Sequence, residues 1–383
     1  MRRRLFHIVI LCILVCTRAL AQQDTVMQHD NSPEEIRGAW LATVAGLDWP
    51  DCDEAAIIQQ FHLIEQIRGL REVGCNTLFF QVVSNMDALY PSKLLPWSAV
   101  LTGTEGRSPG YDPLALAVKV AHECGMQIHA WINPLRVCRD DVTPHDSMHV
   151  SISHPDWVQN YRHKLYLDPG NPEVVDFLRQ IACEIVGRYD VDGLHIDDYF
   201  YPDGLRKDGK GWNNDMYRLY GNGRSLDDWR YATINNVVAT LCKATHETNP
   251  DAVFGVSPSG RLVNTCHLYA DPRMWVAEGS VDYLAPQIYW AIGRGDAAAF
   301  ETVLDSWAFI AKGVPVYVGL AAYKYAQGIT KGLDAPYLSI SEFGRELELC
   351  RSAWYVKGHI WFRTKDILQS DFKAYILSEL YED

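Results

Sequence analysis

The chain of 383 residues contains no CxxC pair, no GxGxxG after its first strand-like run and no P-loop. Beyond residue 16 it also has no apolar stretch approaching the ~20 residues that cross a bilayer. The missing cysteine pairs exclude a zinc knuckle and a thioredoxin-type centre. The missing glycine loops remove the usual nucleotide-binding reasons for an open doubly wound sheet, the competing α/β architecture. Positive charge is scarce: 35 Lys and Arg stand against 48 Asp and Glu, a formal charge of −13. Such an acidic surface opposes a phosphate backbone, so no nucleic-acid partner is expected. No linker, low-complexity run or internal repeat is visible.

The N-terminus carries one targeting pattern. Arg2, Arg3 and Arg4 precede an apolar run over residues 5–16, and Ala19-Leu20-Ala21 follows as a small-x-small cleavage site. Residues 1–21 are therefore expected to be a secretory signal peptide, 22–34 an N-terminal extension and 35–383 one catalytic domain. Ile13-Leu14-Val15 before Cys16 lacks the small residues of a lipoprotein signal. Removing the segment, with four arginines and no acids, takes the charge from −13 to −17. The expectation is a periplasmic or secreted protein with no stable membrane insertion after signal removal. Eight of the 10 cysteines remain, and most suit small buried hydrophobic positions, since a chain this long does not need disulfide staples.

From residue 35 onward strand patterns alternate with helix patterns. Strands are expected over 36–42, 77–83, 127–132, 193–199, 253–257, 283–289, 315–320 and 358–362. Amphipathic helices are expected near 54–73, 113–124, 172–189, 226–248, 272–278, 296–312, 342–354 and 370–380. In 172–189, Val174, Leu178, Ile181 and Ile185 recur at helical spacing behind the start signal Asn171-Pro172. Eight strand-helix units over roughly 350 residues predict an α/β fold, a (β/α)8 TIM barrel with enlarged β-to-α loops. The long loops, 87–112, 133–169 and 202–224, would overhang one face, and loops of that length are usually functional.

The segment DVDGLHIDDYFYP, residues 190–202, anchors the functional argument. Strand alternation puts His195, Asp197 and Tyr199 on one face and Leu194 and Ile196 on the other, so polar groups enter the barrel mouth while aliphatic ones meet the helices. Other strand ends offer Asp48 and Trp49, then Gln81, Asp87 and Tyr90, then His129, Trp131, Asn133 and Arg136. Tyr201, Ser257 and Ser259, then Gln287, Tyr289 and Trp290, then Tyr323 and Lys324, and finally Trp361, Arg363 and Asp366 complete the circuit. Aromatic faces beside carboxylates and amides suit sugar rings, whose C–H faces stack and whose hydroxyls need donors and acceptors. Glycoside hydrolysis needs two carboxyl groups with separate roles. Asp197 is the candidate nucleophile or base, with His195 as its hydrogen-bond donor. Asp198 is the provisional proton donor, with Asp87 or Glu278 as alternatives.

Plainer interpretations compete. An Asp-Asp pair after a strand also serves as a turn or helix cap. Single Trp and Tyr residues more often pack than bind, His129 suits a satisfied buried position, and Asp192-Gly193 is a turn. His145 and His149, spaced i,i+4, could hold a metal with Asp197 or Asp198, as in a polysaccharide deacetylase, but Pro144 makes that segment loop. No metal and no cofactor are therefore expected. In Ser257-Pro258-Ser259-Gly260 a proline replaces the serine of a nucleophile elbow.

The segments EIRGAWLAT, LFFQVVSNMDALYPS, AWINPLRV, LDPGNPEVVDF, YDVDGLHIDDYFYP, FGVSPSG and VDYLAPQIYW resemble, in this order, the glycoside-hydrolase-like family 10, formerly domain of unknown function 187. The resemblance covers residues 35–362. It implies a (β/α)8 envelope protein acting on peptidoglycan glycan strands freed of peptides, so a glycan is the expected partner. DGLHID is also similar to the DGFRxD of the α-amylase superfamily, whose last Asp is the nucleophile. That implies the role for Asp197, with His195 in place of the arginine, while strand five offers no glutamate as acid. The alternative of another class is a non-catalytic glycan-binding protein on the same barrel.

Overall fold

The structure is a computed structural model that describes residues 35–143, 145–209, 211–328 and 332–381. The expected signal peptide and N-terminal extension lie outside the described residues. Eight parallel strands close into a barrel: β1 (Ile36–Leu41), β2 (Thr77–Val83), β3 (Gln127–Ile132), β4 (Gly193–Ile196), β5 (Val253–Val256), β6 (Tyr283–Leu284), β7 (Val316–Leu320) and β8 (Val356–Trp361). Each pairs with its neighbours in sequence, and β1 pairs with β8 to complete the ring. The principal helices between them are α1 (Ala56–Glu72), α2 (Pro113–Glu123), α3 (Pro172–Arg188), α4 (Leu226–Thr248), α5 (Pro272–Ala277), α6 (Phe300–Ala311) and α7 (Ser341–Ser352), with α8 (Ser370–Tyr375) after β8. The expected TIM barrel is the observed fold.

Local chemistry accounts for where the helices begin. Asn171 Oδ1 accepts from Glu173 N at 3.0 Å while Pro172 occupies the first turn of α3. Asp112 and Pro113 repeat the device at α2. Val174, Leu178, Ile181 and Ile185 are buried from α3 against the barrel, each apolar side chain contributing about 1.5–3 kcal/mol on full burial. Leu194 and Ile196 belong to this outer core, whereas Trp40, Phe79, Trp131, Tyr283 and Ile360 fill the lumen.

Two strands are shorter than the sequence suggests by three residues or more. β6 stops at Leu284 because Pro286 has no N–H to continue the ladder, which resumes only as isolated bridges at Gln287. β4 stops at Ile196, and the chain turns at once, Phe200 N donating to Asp198 O at 2.8 Å. Asp197 and Asp198 thus stand just beyond the last rung. The long 133–169 loop carries its own antiparallel sheet of Arg136–Cys138, Val158–Tyr161 and Lys164–Leu167. Its tight turn is made by Arg162 and His163, both at positive φ, without the glycine that usually announces such a hairpin.

Candidate active site

β4 delivers Asp197 into the mouth, 4% exposed. Oδ2 accepts from Trp131 Nε1 at 3.2 Å and from Asn133 Nδ2, and Oδ1 accepts from Tyr199 N at 3.3 Å. The orientation of Asn133 follows from its partners. Gln81 Oε1 accepts from Thr43 N and Val44 N, both at 2.9 Å, so its Nε2 must donate, and it does so to Asn133 Oδ1 at 2.6 Å. Arg136 Nη2 donates to the same oxygen at 2.8 Å. Asn133 can therefore present only its NH2 group to Asp197. All three neighbours of that carboxyl are N–H donors with no capacity to accept its proton, so they satisfy the carboxylate form.

Asp198 follows the turn to the β6 side, where Gln287 Nε2 donates to Oδ1 at 3.3 Å. Burial pushes both carboxyls up, with repulsion from Asp198 added at Asp197, so the pair shares one proton near neutral pH. Asp198 has one long donor where Asp197 has three, so a single proton shared by the pair resides on Asp198.

Around the two acids lies a cavity of about 170 Å³. Of the sequence candidates, it brings together Gln81, Trp131, Arg136, Asp197, Asp198, Tyr199, Ser257, Gln287 and Tyr289, with Asn133 held behind Asp197. Tyr199, 41% exposed, lies over the Arg136 guanidinium at 4.1 Å. Tyr289 stacks beside Phe362 at 5.9 Å. Asp198 and Tyr199 also line a neighbouring cleft of about 660 Å³ that runs past Tyr166, Ser259 and Asn264.

Other candidates lie elsewhere. His195 does not donate to Asp197. Two residues deeper along β4, it accepts from Trp40 Nε1 at 3.1 Å and pairs through Nδ1 with Tyr283 Oη at 2.9 Å, while His129 Nδ1 meets the same hydroxyl at 2.8 Å. Burial holds both imidazoles down, His129 to about 4, so they form a neutral floor beneath the mouth. Asp48 ties loops together, accepting from Ala42 N at 2.7 Å and Lys365 N at 3.0 Å, and Trp49 donates to Gln59 O at 2.8 Å. Asp87 is tied to Ser98 Oγ and Asn85 N, and Tyr90 packs against Tyr189. Tyr201 bonds Thr233 and Asn213 and lines only the neighbouring cleft, and Trp290 packs against the outer core. Trp361 faces the helices, where Nε1 donates to Tyr381 Oη at 3.0 Å. Alternation gives Phe362 its place in the mouth. Glu278 caps the C-terminal end of α5 before β6, at the opposite end of the barrel from the acids. His145 and His149 converge on Glu105, not on Asp197 or Asp198.

Trp40, Ala42, Val44, Leu47 and Phe362 also line the cavity and are not among the sequence candidates. Trp40 and Phe362 were findable, since they share parity with Ala42 and Ile360 on their strands. Val44 and Leu47 come from an irregular turn that no periodicity announces.

The sequence profile of the glycosyl hydrolase-like 10 family matches residues 35–339. Glycosyl hydrolase YngK of Bacillus subtilis is 36% identical over 365 residues, covering 89% of this chain and 70% of the relative. Glycosyl hydrolase DigH of Escherichia coli K12 is 36% identical over 373 residues, covering 87% and 83%. Among solved structures, the glycoside hydrolase domain of PgaB (BpsB) from Bordetella bronchiseptica superposes with a TM-score of 0.55 at 13% identity, covering 90% of this chain and 98% of that one. The catalytic domain of a Paenibacillus polymyxa beta-amylase gives 0.54 at 13%, with 91% and 99% covered. These two likenesses speak for the barrel, and the two sequence relatives with the profile speak for the family: the chain belongs to the glycosyl hydrolase-like 10 family.

Proposed function

We propose that the protein hydrolyses glycosidic bonds in an N-acetylhexosamine-containing glycan, with peptidoglycan glycan strands as substrate, outside the cytoplasm. The observation that carries this is the adjacent pair Asp197 and Asp198 at a small aromatic-walled cavity, one carboxyl receiving three N–H donors and the other a single long one. Such a pair supplies the two roles that glycoside cleavage requires. Asp198 protonates the departing glycosidic oxygen, and Asp197 faces the anomeric carbon as nucleophile or base. A sugar ring seated in the cavity packs against Trp40, Tyr289 and Phe362, while the adjoining cleft receives further units of the strand. The names of the relatives, glycosyl hydrolases, support the same chemistry.

The test is incubation of soluble, peptide-free glycan strands with the full chain. New reducing ends that disappear in Asp197→Asn are the expected result. Retention of the strands without cleavage would favour the non-catalytic binder, and acetate release without chain shortening would favour a deacetylase.

A further inference from the structure

The histidine pair set aside by the sequence argument forms a cluster of its own. Glu105 comes from the β2–α2 loop, and His145 and His149 come from the β3–α3 loop. Donor atoms of the three lie within 4.8 Å of one another. The two imidazoles are parallel within 8°, their centroids 3.8 Å apart.

The hydrogen bonds point the same way. The His145 side chain is 9% exposed, its Nδ1 lies 3.1 Å from Glu105 Oε1, and its Nε2 is buried without a hydrogen bond of good geometry, although the Cys138 side chain also interacts with the ring. An orphaned imidazole nitrogen at that depth costs stability unless something binds it. His149 is fully buried, and its Nε2 lies 2.9 Å from Asn85 O. A carbonyl can only accept, so Nε2 carries the hydrogen and Nδ1 accepts, from the Ser151 hydroxyl at 2.7 Å and from Ser151 N at 3.4 Å, contacts that a bound ion would displace. A backbone carbonyl on the far nitrogen is how ligating histidines are commonly oriented.

We propose that Glu105, His145 and His149 bind a divalent transition-metal ion of the zinc class, which fastens the β2–α2 loop to the β3–α3 loop. Two imidazoles and one carboxylate suit that class and not calcium or magnesium, which take oxygen ligands, and three protein ligands leave a position for water. The ion acts as a brace. Its ligand His149 grips Asn85, and the adjacent Ser84 carbonyl accepts from Arg136 Nε at 2.9 Å, so the loop that positions Arg136 beneath Tyr199 is tied to it. The proposal stands independently of the glycan assignment.

The full chain, stripped with a chelator and dialysed, is titrated with zinc chloride against a chromophoric competitor, and thermal unfolding is followed with and without the ion. One equivalent should bind and raise the unfolding temperature. Glu105→Gln and His145→Gln should each weaken binding by about 100-fold or more while the far-ultraviolet spectrum is unchanged. The exposed Asp51–Cys52–Asp53 group is the other set of converging donors among the described residues, so Cys52→Ser should leave the equivalent intact. No bound equivalent, an equivalent indifferent to both variants, or one lost in Cys52→Ser would overturn the proposal.

Discussion

At the scale of single residues, the mouth is a problem in donor counting. Asp197 receives three N–H groups, and the chain of bonds from Thr43 and Val44 through Gln81 and Asn133 leaves no ambiguity about which way they point. Asp197→Asn keeps the shape but places an NH2 group against donors, so we expect hydrolysis to fall by about 10³-fold or more, with a stability loss of only about 1 kcal/mol. Product analysis and a denaturant titration check the two halves. Burial raises both carboxyls, to about 7 and about 6, so the singly protonated pair is most populated between those values. The rate on glycan strands should therefore be bell-shaped, falling as pH drops below about 6 and as it climbs above about 7. Asp198→Asn should cost about 10²–10⁴-fold and abolish the alkaline limb. A substrate whose leaving group needs no proton should recover most of the loss. No recovery would remove Asp198 from the acid's role.

At the scale of elements, alternation decided most placements and its neglect caused the chief error. His195, Asp197, Leu194 and Ile196 lie on the faces their parity requires. Nearness to a strand end suggests the mouth for Trp361, yet parity sends it outward with His359 to Tyr381. Depth along a strand is the second variable. Residues two apart on one face differ by ~6.6–6.8 Å in height, which is why His195 lies in the floor and Asp197 in the wall. That floor has a steric condition. A Cβ on Gly255 would fall 2.0 Å from the Tyr283 ring, whose hydroxyl joins both buried histidines. Gly255→Ala should destabilise the barrel by about 3 kcal/mol or more, measurable by chemical unfolding, because a ring crossing a filled lumen has nowhere to move.

At the scale of the whole molecule, the family profile ends at residue 339, but the ring does not. β8 bonds both β7 and β1, and Tyr381 and Arg351 reach back to His359, Trp361 and Glu35. A chain ending at residue 339 would expose the unpaired edges of β1 and β7 together with the apolar faces that α7 and α8 cover. We expect it to lack a cooperative unfolding transition, whereas the full chain shows one. A folded, sharply melting truncated chain would refute the closure argument.

What this sequence determined by itself was periodic and local: eight strand-helix units, the helix starts at Asn171 and Asp112, and the parity that turns Asp197 inward. These follow from side-chain direction and short-range hydrogen bonding, which a linear pattern records. Tertiary structure alone decided which strand ends share a cavity, that Gln81 and Arg136 orient Asn133 against Asp197, that His145 meets Glu105, and that Asp48 and Trp49 serve the scaffold. Those outcomes depend on distances across the barrel and on competition among donors from distant loops, and no spacing along the chain encodes them.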